Sequence, residues 1–577
     1  MTLESRLDQW SRGWRGPALA ALVALIAGLP GLLAAPPLDR DESRFAQATA
    51  QMLESGDFIS INYQDRPREK KPVGIHWLQA ASVAIVSDAA DRDIRAFRIP
   101  SLLGAMLAAA ACAWGAAAFF GPRAGLLAGA MLGASFLLST EAAIAKTDAV
   151  LAGTTTLALA AMGRIYAAAR DGPPAGRRVR LLFWLAIGLA ALVKGPVGPM
   201  VALLTGLSLW IVDGPAPWRE GLRRWATAPR PAWIGRLGWS WGPLLALLIV
   251  GPWSLAITVA TDGAFWGSAV GGDLAPKLIG GHERHGGPPG YHLLLAPLLV
   301  FPASLLLPAA LVQIARAWRK PGIRFAACWL VPAWLVFELL PTKLAHYTLP
   351  TVAALTWLMA AALRAPLGRA LRWAGAASLA YAALGLSAAC VYALTAFGDG
   401  GDVTWGAVAI GLFLATAFVG GYLLVGRAAG VALVAAGVLG VLAHAVVLGQ
   451  LLPRLEPLWL SERVALALAR TGLAPREGVT PGPVEVAGYA EPSLVFTLGS
   501  ETGLGGPAEA AAAVAEGRPA VVEAREEPEF LARLARAGLP ARPAATISGF
   551  DYSNGEDMRL TLYRGEPQVP PAREPAP

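Results

Sequence analysis

Asp39–Trp77 reads DRDESRFAQATAQMLESGDFISINYQDRPREKKPVGIHW, a charged segment set between two strongly apolar runs. Apolar runs of that kind are at ease only in lipid. A connection longer than about 12–15 residues usually carries function or is disordered. This one has internal order, because Phe45, Ala48, Met52 and Leu53 recur on one side at helical spacing within Ser43–Leu53. That pattern predicts a helix lying at the membrane surface, ended by Ser55-Gly56-Asp57.

Working outward, 577 residues that are 55% hydrophobic and only 15% charged make a polytopic membrane protein rather than a string of soluble domains. The 48 Lys and Arg exceed the 40 Asp and Glu, but the arginines are dispersed over short loops, which sets membrane orientation and does not suggest nucleic acid. Cys112, Cys328 and Cys390 sit far apart inside apolar runs and read as small core residues, with neither a disulfide framework nor a zinc motif. No cleavable signal is expected at the N-terminus.

At about 20 apolar residues per crossing, thirteen spans are expected: 17–35, 98–120, 124–142, 147–169, 181–194, 196–213, 240–261, 291–315, 325–341, 346–363, 373–397, 404–425 and 430–452. With the N-terminus cytoplasmic, every cytoplasmic loop carries a positive charge. The opening segment, Lys146, Lys194, the loop 262–290, the turn Pro341-Thr342-Lys343 and the C-terminus then share the other side. The expected organisation is an all-α membrane domain, 1–452, including a periplasmic loop 36–97, and a small soluble α/β domain, 453–577. In the latter, helices are expected at Ser461–Thr471, Ala508–Glu516 and Glu527–Ala537. Strands are expected at Val484–Tyr489, Pro519–Glu523, Ala544–Tyr552 and Met558–Tyr563, the last two joined through Asn554-Gly555. No phosphate loop, metal spacing or nucleophile motif occurs there, so its role is architectural or acceptor docking.

Isolated charges supply the chemistry. Asp41 and Glu42 start the predicted surface helix, where they could simply answer its dipole. Lys70-Lys71 before an apolar run could be a snorkelling pair. Yet Asp41, Lys71, Asp148, Lys194, Lys343 and Tyr347 all map to one membrane edge, with Arg44 close by in sequence. Charges meeting at one depth suit a polar cavity. Lysines would neutralise a phosphate and stabilise it as a leaving group, and a carboxylate would accept a proton from an attacking hydroxyl. A transporter or flippase could bind the same phosphate without chemistry, but no internal repeat favours it.

DESRFAQATAQMLESGDF (41–58), KKPVGIHWLQA (70–80), KTDAVL (146–151), ALVKGPVG (191–198) and PTKLAHYTLP (341–350) together resemble the motif series of the bacterial aminoarabinose (lipid A) transferases, relatives of protein O-mannosyltransferases. GYAEPSLVFTLG (488–499) extends the likeness into the C-terminal domain. The resemblance implies a C-type glycosyltransferase fold in the bacterial inner membrane. It also implies inverting transfer of an aminoarabinose-like pentose or related hexose from undecaprenyl phosphate to lipid A or another periplasmic acceptor. A protein Ser/Thr or a glycan is the alternative acceptor. It implies Asp41 and Asp148 as catalytic acids, Lys71 on the phosphate, and Lys343 with Tyr347 as a carrier or metal-side pair. Glu42, Arg44, Lys70 and Lys194 complete the expected substrate contacts. The chain departs from the family at Lys70-Lys71-Pro72, where lipid A members have Glu-Lys-Pro. Their Glu-His-x-x-Arg-Phe is matched only by Gly272-Asp273 with Lys277. Any divalent metal is therefore left to Glu69 and Asp273, with His282 and His285 as a flexible-loop pair.

Overall fold

The computed structural model describes residues 8–214, 231–276, 286–475 and 482–565. Helices occupy all thirteen expected positions, but not all are membrane-crossing by length and composition. Among the described residues eight are long and apolar enough, or ten if each of two bent pairs counts as one span. The shortfall has three physical sources. Arg177–Lys194 carries arginines in its first turns, Val197–Asp213 is a shorter apolar helix, and Leu349–Ala362 is only 14 residues long and buried throughout.

Small residues let the central helices touch. A Cβ on Gly153 would stand 2.5 Å from the Gly104 carbonyl oxygen, so Asp148–Ala168 and Ile94–Phe120 meet backbone to backbone. The third expected span is bent by 61° between Pro122–Gly133 and Phe136–Ala142. Ser135 caps the second half, its Oγ accepting from the Leu138 N–H at 3.4 Å. The bend carries Glu141 towards the start of Asp148–Ala168.

The segment 39–77 folds as helix Asp41–Ser55, a ladder pairing β1 (Asn62–Tyr63) with β2 (Arg66–Pro67), and the start of helix Gly74–Val86. Gly56, at φ +72°, supplies the left-handed residue that ends the first helix. That helix does not lie open on a membrane surface as its spacing suggested. Nine of its 15 residues are buried, because Ala46, Ala48 and Ala50 admit close neighbours on more than one side.

One of those neighbours is the C-terminal domain, through its helix Pro492–Leu498. The sheet of that domain is built from β3 (Glu485–Ala487), β4 (Gly503–Gly505), β5 (Ala520–Glu523), β6 (Pro543–Asp551) and β7 (Glu556–Tyr563) in the order β4-β3-β5-β7-β6. β3 runs parallel to β4 and β5, and β7 runs antiparallel to β5 and β6. The expected strands and helices are present; β4 is additional. Its Gly503 is required by closeness, since a Cβ there would fall 1.9 Å from the Glu485 carboxylate.

The motif 488–499 sits at the junction with the membrane domain. Ser493 Oγ donates to Asp39, the Asp39 N–H donates to Tyr552 Oη at 2.6 Å, and Arg40 donates to Asn554 Oδ1 at 2.8 Å. Phe496 meets Phe97 edge to face at 5.3 Å, and Gln64 Nε2 donates to the Thr502 carbonyl at 2.6 Å.

Candidate active site

Asp41 opens the helix Asp41–Ser55, where its carboxylate also benefits from the helix dipole. One turn on, Phe45 offers its ring to two cations, with the Arg68 guanidinium 4.4 Å and the Lys71 ammonium 5.4 Å from its centroid. Arg68 then reaches Asp41 Oδ1 at 3.9 Å. Burial raises the Asp41 carboxyl, but Lys71, Arg68 and Lys146 outweigh it and hold the group below its ordinary value. Asp41 is thus ionised at neutral pH, and its side chain is 55% exposed.

Deeper lies a set of buried groups brought together from four helix ends. Asp148 begins its helix, and Lys194 ends Arg177–Lys194 with its Nζ 2.5 Å from Asp148 Oδ1. Lys146 bridges Glu141 Oε2 at 3.0 Å and Asp148 Oδ2 at 3.8 Å. His346, in the short turn Ala345–Thr348, places Nδ1 3.8 Å from Glu141 Oε1 and Nε2 3.7 Å from Asp148 Oδ1. Lys71 feels Lys194, Asp41 and Asp148 together. Burial, and then the Lys194 charge, push its ammonium down to about 8 against the pull of the two carboxylates. Among the described residues Lys71 has no carboxylate at ion-pair distance, only the Phe45 face.

Asp41, Lys71, Asp148 and Lys194 therefore converge as the sequence suggested. Glu42 does not join them. It is fully buried and forms a two-pronged pair with Arg98, Nε–Oε1 2.8 Å and Nη2–Oε2 2.7 Å, while also accepting from the Leu38 and Ala145 N–H groups. With those four bonds it is a clamp between that helix and its neighbours, and no longer a candidate for substrate contact. Lys70 is exposed at a loop tip. Arg44 lies within electrostatic reach of Tyr63 and Arg68. Lys343 is buried and donates to the Gly287 carbonyl at 2.8 Å, and Tyr347 packs its ring against His346 at 5.3 Å. Three members escaped the sequence reading: Arg68, Glu141 and His346. Glu141 had a signal, being the only charged residue between Arg123 and Lys146.

The metal candidates do not assemble. Glu69 accepts from Ser268 Oγ at 3.0 Å, and Asp273 acts on Arg68. Among the described residues no group of three or more His, Cys, Asp and Glu is arranged to hold a metal ion. Lys277, His282 and His285 lie outside the described residues. An apolar cleft of about 390 Å³, lined by residues such as Val23, Met131 and Val438, contains none of the charged groups.

Residues 39–261 match the family model described as dolichyl-phosphate-mannose-protein mannosyltransferase. The chain is 30% identical over 357 residues to an undecaprenyl phosphate-alpha-4-amino-4-deoxy-L-arabinose arabinosyl transferase of Pseudomonas aeruginosa, covering 60% of each chain. It is 28% identical to the enzyme of that name from Edwardsiella ictaluri, over 69% of this chain and 68% of the relative. The chain thus spans about 60% of the length of the first of these curated relatives. The crystal structure of ArnT from Cupriavidus metallidurans bound to undecaprenyl phosphate superposes with a TM-score of 0.73 at 20% identity, over 95% of this chain and 98% of that one. The apo structure of the same protein gives 0.72. The chain shares the fold of ArnT and is a multi-pass membrane protein, and the resemblance read from its motifs is borne out.

Proposed function

We propose that this chain, a relative of the aminoarabinose transferases in sequence and fold, transfers a sugar from undecaprenyl phosphate to lipid A, with inversion at the anomeric carbon. The observation that carries this is Lys71, a mostly buried ammonium facing Asp41 and Asp148 with, among the described residues, no carboxylate at ion-pair distance. Among the described residues around it, Arg44, Arg68, Lys71, Lys146 and Lys194 outnumber Asp41, Glu141, Asp148 and Asp273 by five to four. A surplus of positive charge in a low-dielectric site suits a phosphodiester that gains a negative charge as its sugar leaves. The acceptor oxygen attacks the anomeric carbon from the face opposite the phosphate, and the phosphate departs with the bonding electron pair. Lys71 and Arg68 stabilise it. Asp41, the exposed carboxylate, orients the acceptor or takes its proton; Asp148 holds Lys194 in place.

We place the site and the C-terminal unit, 453–577, on the periplasmic side of a bacterial inner membrane, because the arginine-bearing loops then face the cytoplasm. Lys70 and Lys343 contribute less than their sequence positions suggested, one being exposed and the other held by Gly287. The test is purified protein with undecaprenyl-phosphate sugars and lipid A, products followed by mass spectrometry. A serine/threonine peptide serves as the rival acceptor. Sugar-modified lipid A that disappears in Asp41→Asn and Lys71→Ala supports the reading. Undiminished product in both variants overturns the mechanism, and no product from any lipid-linked sugar favours transport.

A further inference from the structure

His346 is an imidazole whose charge its surroundings decide near neutral pH, as they do for Lys71, pushed down to about 8. Its two ring nitrogens face different carboxylates, Glu141 at 3.8 Å and Asp148 at 3.7 Å, from opposite edges of the imidazole. A neutral ring has one N–H and one lone pair, so one carboxylate then faces a lone pair. An imidazolium offers an N–H to both. The geometry is therefore built for a cation, yet burial and the charges of Lys146, Lys194 and Lys71 disfavour one and press the ring down to about 3, against the pull of Asp148.

The balance between these states is set by local charge. Among the described residues, the charged groups acting on the ring are Glu141 from the bent span, Lys146 and Asp148 from the next turn, Lys194 from its helix end, and Lys71 from the opening segment, and the three ammoniums are the ones a phosphate would join. On its own turn His346 has only Lys343, directed to Gly287, and the Tyr347 ring. Transfer leaves the carrier as a phosphate monoester, a dianion near neutral pH, where the donor was a singly charged diester. Two negative charges set among Lys71, Lys146 and Lys194 offset the repulsion that, after burial, disfavours the cation.

Resting on the phosphate-site reading above, we propose that His346 is a proton-binding member of that site, neutral when the cluster is free and cationic when the carrier phosphate is bound. It is a positioning residue, acting through Asp148 and Glu141. Binding of the carrier and uptake of a proton are then reciprocally linked. Acidification tightens the hold on the spent carrier, and alkaline conditions speed its release.

The experiment is calorimetric titration of the full-length protein with undecaprenyl phosphate at pH 7.5, in two buffers of different ionisation enthalpy, which counts protons taken up per ligand. Wild type is expected to take up as much as one proton more than His346→Gln. Between pH 8 and 6 its affinity is expected to rise more steeply than that of the variant, by at most about tenfold per unit for one linked proton. His346→Asn provides a second neutral side chain should the glutamine variant not fold. Equal uptake in wild type and a folded variant overturns the role of His346 while leaving the phosphate site standing. Wild-type uptake no greater than the phosphate's own protonation requires does so without any variant. Failure of wild type to bind undecaprenyl phosphate removes the underlying site instead.

Discussion

Replacing Arg98 by Met tests the clamp that positions Asp41. Arg98 is wholly buried, donates twice to Glu42 and also donates to the Ala35 and Pro36 carbonyls at 2.6 and 2.8 Å. Methionine fills much of the volume but supplies no charge. It strands a buried carboxylate, for which the cost is about 3–5 kcal/mol. If the pair is already broken in the unfolding transition state, that corresponds to roughly a 10²–10⁴-fold faster irreversible inactivation on heating. The double variant Glu42→Leu with Arg98→Met removes both charges and is expected to recover most of the loss, because an apolar pair is often no worse than a buried ion pair. The assay is the thermal inactivation rate in detergent, read beside transferase activity at a permissive temperature. If Arg98→Met inactivates within threefold of wild type, the clamp contributes little and the reasoning fails. If instead Glu42→Gln leaves inactivation unchanged but raises KM for the donor, Glu42 contacts substrate after all.

Asp41→Asn keeps the size of the side chain and removes its charge, so activity is expected to fall about 10²–10⁴-fold with thermal inactivation unaltered, as read by initial rates. Lys71, pushed down to about 8, loses its proton as pH rises, so kcat/KM for the donor is expected to decline above pH 8. Lys71→Arg should move that alkaline limb upward, and an unmoved limb would assign it to another group. At the domain junction, burial raises Asp39 to about 6 and Glu491 to about 7. Both are more readily protonated when folded, so docking is penalised as pH climbs from the unfolded values near 4 through 6 to 7, and strengthens on acidification. Hydrogen exchange of 488–500 should therefore slow as pH falls from 7.5 to 5.5 beyond its intrinsic pH dependence, by up to about tenfold per unit for each group, and less in Glu491→Gln.

Helix positions were readable because lipid leaves a long apolar record, and the C-terminal elements because their alternation and turn residues are local signals. Which helices cross the membrane was less readable. A bend at Ala134-Ser135 leaves the composition of a span untouched, and burial of Leu349–Ala362 by neighbours looks in sequence like burial by lipid. The same limit explains the site. Lys71, Asp148 and Lys194 stood out as charges at apolar edges, but Glu42 and Asp41 are adjacent carboxylates that no local pattern separates. Only Arg98, 56 residues further on, decides that one faces inward as a brace and leaves the other turned toward the exposed site. Strand β4 was missed because Gly-Leu-Gly carries no strand propensity, its place being set by the Glu485 side chain it must accommodate.

The grip on Asp39 and Arg40 has a consequence for exchanging parts between relatives. Ser493, Tyr552, Glu491 and Asn554 hold the two residues immediately ahead of Asp41. A foreign soluble domain grafted after residue 456 would bring its own handhold and tug the leading carboxylate off line. Hybrids should work only when residues 39–64 travel with the tail, so the two stretches form one heritable unit although some four hundred residues of chain lie between them.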